Sequence, residues 1–181
     1  MATELTIDEK YKLAGNAISM AGGTPLPVND TLIKLLRYYI QEDELDFVIA
    51  FTGRKSQTMA QLKESTGLAE AEIEVKVKAL AARGVIFNQP NSKGVMVFRL
   101  LPLLNVGTFE YTFMGKVEVN ARNRQISALF EQLFKELNQM IQKNYDQLVP
   151  FLLKGPAVDR TVPVLENKAT GQRVTIAVGK S

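Results

Sequence analysis

The side chains of this chain that could do chemistry with a partner are few and gather in one segment. Gln61, Lys63, Lys78, Arg83 and Lys93 are scattered through TMAQLKESTGLAEAEIEVKVKALAARGVIFNQPNSKGVMVFRLLP, Thr58 to Pro102. Amide, guanidinium and ammonium groups are the donors that meet base edges and phosphates in a DNA groove. Glu70, Glu72 and Glu74 stand among them, and their carboxylates would repel phosphates. Other chemistry has little to work with. The chain has no Cys and no His, which removes disulfides, thiol nucleophiles, imidazole bases and the usual zinc or iron–sulfur ligands. The remaining carboxylates, lysines, tyrosines and serines show no convergent spacing, so the sequence reads as a non-enzyme with no catalytic, cofactor-binding or metal residues of its own. Glu42-Asp43-Glu44, a dense acidic run, reads as a solvated helix start favoured by the helix dipole.

The elements that must position these groups follow from periodicity. Met59, Leu62 and Leu68 flank a short helix that stops at Gly67, and Ile73, Val77 and Leu80 recur at helical spacing on a second helix ended by Gly84. Val85-Ile86-Phe87 and Val95-Met96-Val97-Phe98 then read as strands around the turn-forming loop Asn88 to Gly94. Two helices and a hairpin are the outline of a winged helix-turn-helix. If Ile73, Val77 and Leu80 face inward, Ala71, Val75, Lys78 and Ala82 face outward. Lys78 is the only cation in that set, and Lys93 the only one at the hairpin tip. The charge pattern disfavours DNA. Ala71, Val75 and Ala82 read equally as a surface for another protein segment and as helix formers on a solvated face.

Around this centre the chain is mainly α, in an α+β sense. Thr6 can cap a first helix with Ile7, Tyr11, Leu13, Ala14, Ala17 and Ile18 on its stripe, stopped by Gly22-Gly23. Thr24 to Val28 reads as an extended linker, and Asn29 caps a helix carrying Leu32, Ile33, Leu35, Leu36, Tyr39 and Ile40. After Pro102 comes an aromatic, Pro- and Gly-punctuated stretch that reads as a packed loop with room for a short strand or helical turn. A long helix is expected from about Asn120 to Leu148, its wide stripe needing cover from its own domain or from a second copy. The expected layout is a helical layer over 1–57, the winged helix over 58–102, the aromatic loop and long helix over 103–153 completing the same domain, and an arm or linker over 154–181 with a strand at Arg173 to Val178. At 46% hydrophobic residues the chain can bury a sound core. A net charge of only +3 supplies no global attraction to nucleic acid. With neither a signal-peptide core nor an apolar run of membrane length, the expected location is the cytoplasm.

Two stretches carry a family likeness. Leu101-Pro102-Leu103-Leu104-Asn105-Val106-Gly107-Thr108-Phe109-Glu110-Tyr111-Thr112-Phe113-Met114 resembles the Leu-Pro to Phe-Met stretch in the N-terminal winged-helix region of bacterial and archaeal ferredoxin-type iron–sulfur proteins. Asp159-Arg160-Thr161-Val162-Pro163-Val164 is similar to the Arg-x-x-Pro-Val stretch that precedes their clusters. The resemblance implies four-iron, four-sulfur (4Fe-4S) clusters in a following Cys-rich domain, which these residues lack. It therefore implies either a fragment cut before that domain or a stand-alone relative, and the lack of a closing helix after the Arg173 strand favours the fragment.

The leading expectation is a non-catalytic accessory or protein-interaction domain of such a protein. Its contacts would come from Ala71, Val75, Ala82, Phe109, Tyr111, Phe113 and Met114. Its partner would be its own iron–sulfur domain, a redox protein or a second copy, with no membrane. The competing expectation is a dimeric winged-helix transcription regulator that contacts DNA through Gln61, Lys63, Lys78, Arg83 and Lys93. A small-ligand pocket between the long helix and the aromatic loop is a third.

Overall fold

A computed structural model describes residues 5–22, 26–104 and 106–154. The expected arm with its Arg173 strand, and the Asp159 to Val164 stretch, lie outside them. The chain divides into two compact units, Met1–Tyr145 and Asp146–Ser181.

Side-chain caps start several helices of the first unit. Thr6 accepts from the Glu9 amide to open α1 (Ile7–Ser19), and Asn29 accepts from the Leu32 amide to open α2 (Asp30–Leu36). Tyr11, Ala14, Ala17 and Ile18 are buried along α1. Ile7 and Leu13 sit at its exposed edges, so the stripe is narrower than the sequence implies. Tyr39 and Ile40 fall just beyond α2, still in the core. Glu42–Glu44 form a single 3-10 turn that leads into α3 (Leu45–Ile49).

A strand that periodicity does not announce comes next. β1 (Ser56–Thr58) precedes α4 (Met59–Thr66) and α5 (Glu70–Ala82), and β2 (Ile86–Pro90) and β3 (Met96–Leu100) follow. The sheet is antiparallel in the order β1-β3-β2, with Gln57 opposite Phe98 and Asn88 opposite Phe98 on the other side. Three residues are too few for an alternation to show. Gln57 is fully buried, and it holds its place by donating to the Ala50 carbonyl at 2.9 Å and accepting from Ser65 Oγ at 3.1 Å. The hairpin turn is also tighter than expected: pairing runs out to Pro90 and Met96, leaving Asn91 to Val95 as the tip.

Of the two elements the aromatic stretch has room for, a helix forms. Thr108–Phe113 form α6, entered through a tight return in which the Phe109 amide and Thr108 Oγ1 both donate to the Leu103 carbonyl. A Cβ at Gly107 would lie 1.8 Å from the Pro102 carbonyl oxygen, so only glycine lets the chain close there.

α7 (Ala121–Lys143), capped by Asn120, ends at Asn144 rather than continuing to Leu148. The next helix, α8 (Tyr145–Lys154), holds Pro150 inside it and belongs to the second unit from Asp146 on. In the first unit Ile126, Phe130 and Leu133 of α7 join one core with the buried faces of α1 to α5 and the sheet. α7 packs on α2, and Glu136 accepts from Asn29 Nδ2 and Thr31 Oγ1 at 2.8 Å each. No helix among the described residues is long and apolar enough to cross a membrane.

Candidate functional site

Ile73, Val77 and Leu80 are buried on α5, which turns Ala71, Val75, Lys78 and Ala82 outward as their spacing requires. Ala71 and Val75 share a groove of about 550 Å³ that α5 forms with the 3-10 turn, closed by Asp43, Glu72, Lys76 and Ala79. Val75 is 68% exposed at its surface. Ala82 is exposed but does not line that groove.

The polar groups suited to DNA are mostly engaged within the chain. Gln61 Oε1 accepts from the Thr58 amide at 2.9 Å as half of a capping box. Lys63 stands 3.8 Å from Glu70. Arg83 donates to the Ala79 carbonyl through Nε and to the Glu44 carboxylate through Nη2. Lys78 and Lys93 remain, exposed and without an ion pair among the described residues. Glu70, Glu72 and Glu74 are all exposed at the start of α5, and Glu72 accepts from the Ala69 amide there.

Glu44 corrects the reading of the acidic run as a solvated helix start. It is only 5% exposed, and besides Arg83 it accepts from the Gln41 amide at 2.7 Å. Its partner lies 39 residues away, so no local pattern reveals the pair. Glu42 and Asp43 do face solvent. Lys76 donates to Asp43, and this hydrogen bond holds the Asp43 carboxyl below its ordinary value.

The four aromatic-segment candidates part ways. Phe109 and Phe113 are half-buried, with ring centroids 5.1 and 5.8 Å from Phe130, and Phe109 also stands 5.5 Å from Phe134. Both pack within the chain and keep part of their surface open to solvent. Tyr111 and Met114 are 54% and 79% exposed. Tyr111 nevertheless covers Gly84, where an added Cβ would lie 2.6 Å from Tyr111 Cγ. Gly84, at φ +70°, closes the turn from α5 to β2, so α6 is fitted against that turn.

No family model matches this chain, nor does a curated protein or a solved structure.

A second groove of about 510 Å³ runs between α6 and α7, floored by Phe109, Phe113 and Phe130 and edged by Glu131, Phe134 and Lys135. Glu131 and Lys135 pair across one helical turn at 2.7 Å, and the hydrogen bond from Lys135 holds the Glu131 carboxyl below its ordinary value. Among the described residues no group of three or more His, Cys, Asp or Glu side chains is placed to hold a metal ion.

Proposed function

We propose that β1, α4, α5 and the β2–β3 hairpin form a winged helix that serves as a protein-binding rather than a DNA-binding module, in a non-catalytic accessory domain of a ferredoxin-type iron–sulfur protein. The observation that carries the first half is the disposition of charge on α5. Three exposed carboxylates occupy its first turns, and Gln61, Lys63 and Arg83 already have partners inside the chain. A helix presenting that face to a duplex would meet phosphates with like charge, while Lys78 and Lys93 supply too few cations to offset it. The groove floored by Ala71, Val75 and Ala79 suits a close-packed polypeptide instead, because small side chains let a partner backbone approach. The link to iron–sulfur proteins rests on the Leu101 to Met114 and Asp159 to Val164 stretches. Any clusters would then reside on polypeptide other than these residues.

Fluorescence anisotropy with a labelled duplex of about 20 base pairs tests the module. Binding at near-physiological salt is expected to be weaker than about 100 µM, the weak end of nonspecific affinity. Tight, salt-dependent binding lost in Lys78→Glu and Lys93→Glu would overturn the reading in favour of a DNA-binding regulator. The redox link is tested by the genome around this coding sequence. Absence of Cys-x-x-Cys segments both downstream in frame and in adjacent genes would end it.

A further inference from the structure

We propose that the aromatic groove between α6 and α7 is where two copies of this chain pair, α7 lying antiparallel on α7 of the second copy about a two-fold axis. Phe134 is 41% exposed although it belongs to a ring cluster with Phe109, so one flank of that cluster meets water. Ser127, Glu131, Phe134, Lys135 and Asn138 border the groove at spacings that keep them on one stripe of α7. Short, uncharged Ser127 and Asn138 end the stripe and allow a second helix to come close.

Charge decides the occupant and its direction. In an antiparallel pair, Glu131 of each copy stands opposite Lys135 of the other, giving two complementary contacts. A parallel pair would set Glu131 against Glu131 and Lys135 against Lys135. A surface that complements itself is what a two-fold interface requires. The antiparallel register puts the axis at the level of Leu133 along α7, on the face opposite that buried side chain. At about 1.5 Å rise per residue, the two Phe134 rings then lie roughly 3 Å apart along the helices, close enough to stack offset and cover each other. Glu131 and Lys135 are each more than half exposed, so exchanging their internal pair for an intermolecular one demands little desolvation.

Sedimentation velocity on the full chain at low ionic strength tests this. The expected species at tens of micromolar has twice the 20.1 kDa chain mass and dissociates on dilution. Lys135→Glu, at an exposed site, places Glu131 against a carboxylate and is expected to weaken the dimer at least tenfold. Adding Glu131→Lys to that variant restores it, and Phe134→Asp abolishes it with the far-ultraviolet circular dichroism unchanged. A 20.1 kDa species at every concentration overturns the proposal, as does a dimer indifferent to Lys135→Glu.

Discussion

The Glu44 carboxylate accepts a hydrogen bond from the Arg83 guanidinium, tying the 3-10 turn before α3 to the last turn of α5. The acid is 6% exposed at its side chain and the base 23%, so water screens the pair poorly. Glu44→Ala would leave the Arg83 charge half-desolvated and the Gln41 amide without its acceptor. The expected loss is about 3 kcal/mol by urea denaturation. Glu42→Ala, at an exposed neighbour, should change stability by less than about 0.5 kcal/mol. Equal effects for the two would show that the pair contributes nothing specific.

Leu80 and Leu133 are fully buried on α5 and α7. Truncating either to Ala removes apolar contacts and leaves a cavity, with an expected cost of about 2–5 kcal/mol. Glu74→Ala on the exposed face of α5 should lie within about 0.5 kcal/mol of the parent. A harmless Leu80→Ala would mean that α5 is rotated and presents a different face to solvent.

Gly84→Ala introduces two faults, a left-handed backbone at φ +70° and a collision with the Tyr111 ring. Tyr111→Ala removes only the second. In a double-mutant cycle the two substitutions should therefore be less destabilising together than the sum of the singles, by about 1 kcal/mol or more. Strict additivity would show that Tyr111 does not rest on Gly84.

Burial raises the Glu136 carboxyl, but hydrogen bonds from Gln132, Thr31 and Asn29 outweigh it and hold the group below its ordinary 4.5. A depressed folded value means that the ionised acid contributes stability at pH above about 4.5, and that this contribution fades as pH falls through the lowered value. Melting temperatures of the parent and Glu136→Gln should thus differ at pH 7 and converge toward pH 3. Parallel curves would exclude this linkage.

What the residues reveal in advance depends on how local the causes are. Thr6, Asn29, Asn120 and the inward set Ile73, Val77 and Leu80 can be read directly, because caps and helical stripes act within a turn or two. α6 is legible only as one option within a packed loop, because Pro102 and Gly107 look like breakers, yet they close the return that begins the helix. Strand β1 depends on pairing with β3 some forty residues later, and Glu44 on a cation equally distant. The α5 face is legible for the same reason as its core side. The α6–α7 groove exists only once Phe109 and Phe134 meet in space.

Asn29 does two jobs with one side chain: Oδ1 closes the first turn of α2 while Nδ2 reaches Glu136, 107 residues downstream. Synthesis from the N-terminus therefore makes α2 long before its seat on α7 exists. Leu32 and Leu36 can pack early beside Gly15 of α1, but the flank of α2 that meets α7 waits uncovered on the nascent chain until the middle of α7 leaves the ribosome.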